Sequence, residues 1–216
     1  MIYHSKSDIA VQALKQAVLT GRYAPGDWLR QNDVARDLGL SSTPVREALR
    51  ELHVEGILEY EPHRGMRVPE INLCKLERLY SVRALLEGHA AGLAAIRITD
   101  ADLALLEQEQ RLMLTQLDEG RLIELIAGDE ALHLQIYAIA DNEYLLKAIK
   151  LLWQQFPRYL LWSIPERART SVDEHPQLIH ALATRDAAVA ELSCRLHLES
   201  ALAALRTRLD ANRETG

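Results

Sequence analysis

Chain-breaking residues crowd into the first third of the chain. Of seven prolines, Pro25, Pro44, Pro62 and Pro69 precede residue 70, and Pro25-Gly26 and Pro62-His63-Arg64-Gly65 read as turns. After Pro69 come long amphipathic stretches with few breakers. Short punctuated elements followed by long unbroken ones predict two domains, 1–70 and 71–216, with the boundary near 69–73. Leu, Ala, Glu and Arg dominate and aromatics are 5% of the 216 residues, which is the composition of helices rather than of a β-sandwich or barrel. The expected fold is mainly α.

In the first domain Ile9, Ala13, Ala17 and Val18 share a helical face between Ser7 and Thr20, closed by Gly21. A second helix runs from Asn32 to Leu38 and stops at Gly39. Ser41-Ser42-Thr43-Pro44 then supplies cap residues and a first-turn proline, and Val45, Ala48, Leu49 and Leu52 continue as an apolar stripe ending at Gly56. Ile57–Tyr60 and Met66–Val68 bracket the Pro62–Gly65 turn as a β-hairpin. Together these outline an N-terminal winged helix-turn-helix. The second domain reads as six helices, 72–97, 100–118, 121–140, 142–163, 166–184 and 186–209. Their connections, at Thr99-Asp100, Gly120, Asp141-Asn142, Pro165 and Arg185-Asp186, are short enough to predict a C-terminal six-helix antiparallel bundle. Trp153, Phe156, Tyr159 and Trp162 are expected in its core or an interface.

No strictly apolar run exceeds five residues, against the roughly 20 that span a bilayer. The N-terminal residues lack a signal-peptide pattern, and Cys74 and Cys194 cannot build a disulfide framework, so a cytoplasmic location is expected. The net charge of −6 is uneven, at −1 over residues 1–70 and −5 over 71–216, so the first domain repels a polyanion less.

A helix that opens with Ser41, Ser42 and Thr43 and presents Arg46 and Arg50 one turn apart suits a DNA major groove. Its first-turn N–H groups and hydroxyls meet phosphate, and an arginine reaches a guanine edge. The alternative is a plain cap with Arg46 and Arg50 paired to nearby glutamates. His63, Arg64 and Gly65 at the hairpin tip favour DNA, because a cationic turn beside such a helix can lie against a backbone or minor groove. The run Gly39-Leu-Ser-Ser-Thr-Pro-Val-Arg-Glu-Ala-Leu-Arg-Glu-Leu52, with Glu55-Gly-Ile-Leu and Pro62-His-Arg-Gly-Met-Arg-Val68, resembles the DNA-binding domain of GntR-family bacterial transcription regulators. Thr43, Arg46, Arg64 and Gly65 match that family. Ser42 stands where the family often has an arginine that contacts bases, so the resemblance leaves the operator sequence open.

Asp129 and His133 are four residues apart, on one helical face. His175 and His197 lie about 10 and 11 residues from the turn at Arg185-Asp186, so on the two arms of a hairpin both sit roughly 15–17 Å from it. His180 is about 9 Å out of register by the same arithmetic. Three imidazoles and one carboxylate at one level suit a divalent metal ion such as Zn²⁺, Ni²⁺ or Mn²⁺, while the alternative is separate structural histidines. Asp129-Glu-Ala-Leu-His133, Ala140-Asp-Asn142, Glu174-His175-Pro-Gln-Leu-Ile-His-Ala-Leu, Asp186 and His197-Leu198 resemble the FCD ligand-binding domain of the FadR subfamily. That resemblance implies metal ligation by Asp129, His133, His175 and His197. Arg83, four before Glu87 in a segment that also resembles the first FCD helix, is either an ordinary i,i+4 partner or the grip for an effector carboxylate.

The expected protein is therefore a homodimeric regulator, not an enzyme. It reads a short palindromic double-stranded operator, and its metal-containing bundle senses a small organic acid, with repression the commoner family behaviour. The competing readings are a metalloenzyme that uses the Asp/His₃ site to activate water, and a DNA-binding protein whose bundle serves only dimerisation.

Overall fold

The computed structural model describes residues 5–70, 72–155, 159–164 and 166–214. Phe156, Pro165 and the side chain of Tyr159, all singled out by sequence, lie outside the described residues. In chain order the elements are α1 (Lys6–Leu19), β1 (Trp28–Leu29), α2 (Gln31–Leu38), α3 (Ser42–Val54), β2 (Glu59–Glu61), β3 (Gly65–Arg67), α4 (Leu73–Arg97), α5 (Asp100–Asp118), α6 (Leu122–Ile139), α7 (Glu143–Trp153), α8 (Tyr159–Trp162), α9 (Arg167–Ala183) and α10 (Ala187–Glu214). They fall into two units. One holds the residues up to Ile71 together with Gln154–Ser163, and the other holds Asn72–Trp153 and the chain from Ile164 onward.

The first unit is a winged helix-turn-helix. Ser5 and Asp8 form a reciprocal capping box that starts α1, each side chain accepting from the other's backbone N–H. The buried residues of α1 are Ala10, Val11, Leu14, Ala17, Val18 and Leu19, whereas Ile9 is 50% exposed. The predicted stripe is thus rotated: Leu14 faces the core, and Ile9 lies about 140° around the helix from it at 100° per residue. Gly39 (φ 65°) closes α2 in the left-handed conformation, which an L side chain resists. On α3 the buried residues include Val45, Ala48, Leu49 and Leu52, the predicted stripe.

The wing is three-stranded, antiparallel, in the order β1-β3-β2, with Trp28 opposite Arg67 and Glu61 opposite Gly65. Strand β1 is not foreseeable from sequence, because two residues are too few to show alternation. It is pinned at its start, by Gly26 N–H donating to the Val68 carbonyl at 2.8 Å and Val68 N–H donating to the Asp27 carbonyl at 2.9 Å.

The second unit is a bundle of six helices among the described residues, α4 to α7, α9 and α10. The expected fourth helix, 142–163, ends at Trp153 instead. A proline inside a helix removes one hydrogen bond and crowds the carbonyl four residues earlier, at a cost of about 3 kcal/mol, and Pro157 stands four residues after Trp153 in the sequence. The residues beyond group with the first unit, where Trp162 is buried. Thr99 with Asp102 forms a second capping box at α5, and Asn72 and Asn142 accept first-turn N–H groups of α4 and α7. No helix among the described residues is long and apolar enough to cross a membrane.

Helix α10 lies closely against α4 at Gly88 and Gly92. A Cβ on Gly92 would stand 3.0 Å from the backbone oxygen of Ala187, an atom that cannot swing aside. Gly92→Ala should therefore lower stability by about 1 kcal/mol in urea unfolding, overpacking outweighing the helix-propensity gain of similar size. A raised midpoint would show that α10 moves away freely.

Candidate functional site

In the first unit the predicted nucleic-acid residues lie on the surface. Ser41, the N-cap of α3, makes no side-chain cap hydrogen bond, and Ser41, Ser42 and Thr43 are exposed. The Gln31 Nε2 donates to the Ser42 carbonyl at 2.9 Å and fixes how α3 enters its first turn. Arg46 and Arg50 are exposed, and among the described residues neither is in an ion pair with Glu47, Glu51 or any other acid. Two cationic side chains beside an uncapped helix start form a surface suited to a polyanion. At the wing tip His63 (φ 67°) and Gly65 (φ 106°) make the turn. Arg64 is exposed, pairs with Glu61 at 3.2 Å and lies over the Trp28 ring at 5.8 Å.

In the second unit Asp129 and His133 of α6, His175 of α9 and His197 of α10 come together. Each offers a donor atom, all within 4.8 Å of one another, and all four residues are buried. The imidazole centroids form a near-equilateral triangle, 5.2, 5.0 and 5.1 Å apart. Asp129 Oδ1 is 3.3 Å from His175 Nε2 and 3.7 Å from His133 Nε2. Donors on a tetrahedral ion with bonds of about 2.0–2.1 Å stand about 3.3–3.4 Å apart, the spacing that Asp129 and His175 already have. His180 is exposed and outside the cluster, as the hairpin register predicts.

Each imidazole is held by its outer nitrogen. His197 Nδ1 lies 2.8 Å from Glu174 Oε2, an acceptor, so Nδ1 carries the hydrogen. The Tyr137 hydroxyl donates to Glu87 Oε2 at 2.7 Å, which leaves its oxygen to accept from His133 Nδ1 at 3.4 Å. His175 Nδ1 faces Gln110 Oε1 at 3.2 Å. Outer hydrogen bonds of this kind turn the Nε2 lone pairs inward. Among the described residues buried His175 Nε2 has no hydrogen-bond partner. Burial pushes the His197 pKa down against the opposing pull of Glu174, favouring the neutral ring that a metal needs. Burial would raise the Glu174 pKa, but the hydrogen bonds from His197 and Ser200 and the nearby Arg167 hold it below the usual carboxylate value. The residues present therefore fit a divalent cation with nitrogen and oxygen preferences.

Beside this cluster is a buried ion pair. Arg83 donates to both Glu87 oxygens, at 2.6 and 3.4 Å, with side chains 4% and 1% exposed. Trp153 Nε1 also donates to Glu87, at 2.9 Å. Burial disfavours the Arg83 charge, yet adjacent Glu87 raises its pKa further. Arg83 thus lies in the bundle interior, and its partner is the residue four positions on. Burial pushes the Cys194 thiol up to about 12, so it stays protonated.

Sequence reasoning missed Gln110, Tyr137 and Arg167, and met Glu174 only inside a motif. Tyr137 is four residues after His133, which is a usable signal; Gln110, on α5, carries none of its own.

Residues 6–68 match the family described as bacterial regulatory proteins, gntR family, and residues 78–200 match the FCD domain. The chain is 31% identical over 165 residues to the Nta operon transcriptional regulator of Aminobacter aminovorans, covering 76% of this chain and 77% of that one. It is 30% identical over 177 residues to the HTH-type transcriptional regulator McbR of Escherichia coli (strain K12), covering 80% of each. A solved structure described as E. coli McbR/YncC superposes with a TM-score of 0.69 at 26% identity, covering 96% of this chain and 100% of that one. An open-ended helix with free arginines, a wing beside it and an FCD domain are the parts of a DNA-binding transcription regulator rather than an enzyme, and the chain belongs to the gntR family of bacterial regulatory proteins.

Proposed function

We propose that this regulator is a cytoplasmic homodimeric repressor that releases a short palindromic operator when its helical unit binds a small carboxylate beside a metal ion. The observation that carries the reading is the buried set Asp129, His133, His175 and His197, four convergent donors that no catalytic role in a regulator requires. A Zn²⁺, Ni²⁺ or Mn²⁺ ion held by three imidazoles and one carboxylate keeps positions for a further oxygen ligand. Arg83 is the proposed second anchor, because Glu87 engages only part of its five-donor fork. Exposed Val189, Leu192 and Leu196 at helical spacing on α10, with Leu85 on α4, support pairing with a second copy.

DNA contact is assigned to Ser41, Ser42, Thr43, Arg46, Arg50, His63, Arg64 and Gly65. Arg46→Ala should weaken operator binding by about 1–3 kcal/mol, while Arg64→Ala should weaken all sequences alike and reduce the salt slope by about 1. Unchanged isotherms for both folded variants would remove the assignment. The regulatory reading is tested by operator titrations of metal-loaded and metal-stripped protein against a panel of small carboxylic acids. A typical coupling of about 1–3 kcal/mol gives a roughly 5–150-fold change in operator affinity. An equal response in stripped protein would leave the metal only a structural part.

A further inference from the structure

Pro176 stands inside α9, between two turns of helix that carry the bundle's central polar groups. Proline has no N–H, so the carbonyl four residues back, that of Val172, receives no helical hydrogen bond. A buried carbonyl left without a donor is costly. Here the donor comes from another helix. Gln110 of α5, itself 6% exposed, donates from Nε2 to the Val172 oxygen at 2.7 Å.

That bond fixes more than a backbone. The two ends of a primary amide are chemical opposites, one a donor and the other an acceptor. A carbonyl can only accept, so the amide NH₂ must face Val172 and the oxygen must face the other way. Facing the other way, Gln110 Oε1 lies 3.2 Å from His175 Nδ1. An acceptor there requires hydrogen on Nδ1, which leaves the lone pair of the neutral ring on Nε2. Nε2 is the nitrogen that stands 3.3 Å from Asp129 Oδ1 in the cluster.

We propose that Gln110 is a positioning residue for His175, oriented by the carbonyl that Pro176 leaves open. It holds the imidazole in the Nδ1–H tautomer, with Nε2 aimed at the site where a metal ion binds. The inference rests on the metal reading above and deepens it. It also gives α5, which supplies no ligand, a defined part in the centre.

The test uses full-length protein, Zn²⁺ as the probe in chelator competition, and long-range ¹⁵N–¹H NMR of the histidine rings in metal-free protein. Gln110→Leu should weaken Zn²⁺ binding about 10–100-fold, the usual loss when an outer hydrogen bond to a ligating histidine is removed, and should lose the pure Nδ1–H signal of His175. Gln110→Glu keeps an acceptor toward His175 but has no donor for Val172. Placed in a Pro176→Ala background, where the N–H of the introduced alanine restores the helical bond, it should bind Zn²⁺ within about threefold of the parent and keep the tautomer. The proposal is overturned if Gln110→Leu binds Zn²⁺ like the parent, or if the rescued double variant loses as much affinity as Gln110→Leu. Should Gln110→Leu not fold, the double variant is judged against the parent, and a loss of Zn²⁺ affinity of about tenfold or more, or loss of the Nδ1–H tautomer, overturns the proposal. Failure of the metal reading looks different: the parent itself takes up no Zn²⁺, and the metal-free tautomer of His175, compared between parent and variant, then supports or refutes the positioning by itself.

Discussion

Stripping the metal from the purified regulator is expected to lower its unfolding temperature by about 8–16 °C. The four proposed ligands lie on three helices and are brought together only in the folded chain. An ion that binds the folded state alone stabilises it by about 4 kcal/mol when present at a thousand times its dissociation constant. In a chain of 216 residues each kcal/mol shifts the midpoint by about 2–4 °C. His133→Ala should abolish the difference between chelator and added metal, because it removes one of three nitrogen donors, while exposed His180→Ala should leave it intact. Equal midpoints with and without metal for the parent would sink the ligand assignment.

Arg83→Ala should cost about 3–5 kcal/mol in urea unfolding, the range for breaking a buried ion pair from one side. The loss comes mainly from Glu87, 1% exposed in the parent, which keeps Tyr137 and Trp153 as its donors but has no opposite charge. An exposed i,i+4 pair is worth only about 0.2–0.5 kcal/mol, so a small loss would show that the pair is not desolvated. Removing both charges with Arg83→Met and Glu87→Gln should cost less than Arg83→Ala alone. The effector role needs a variant that stays folded. Arg83→Lys keeps the charge beside Glu87 and removes the planar fork, so a weakened carboxylate response there points to the fork itself.

Much of this arrangement is legible in one dimension. The helix-turn-helix follows from punctuation at Gly39 and Ser41–Pro44, and the four-residue cluster from one i,i+4 pair and a count along a hairpin. The phase of α1 is harder to read because small alanines mark a face weakly, and the residue that sets it is Leu14. The fourth helix reads as continuous through Pro157 because flanking apolar residues keep a helical period. What holds the cluster is hidden for a different reason. Gln110 and His175 are 65 positions apart on helices joined by no short turn, so no periodicity relates them. Pro176 is the available sign, since a proline within a helix leaves a carbonyl that something else in the fold must serve.

The assignment of Gln154–Ser163 to the DNA-reading unit means that the backbone passes from one unit to the other three times, after residues 71, 153 and 163. The middle passage begins at Trp153, whose indole is bonded to Glu87. The last is followed within four residues by Arg167, which pairs with Glu174, the support of His197. These two groups are therefore neighbours along the chain of the segment that groups with the DNA-reading unit. A fragment ending at the obvious linker near residue 70 would lack Gln154–Ser163, and with it the buried Trp162 that groups with its own unit.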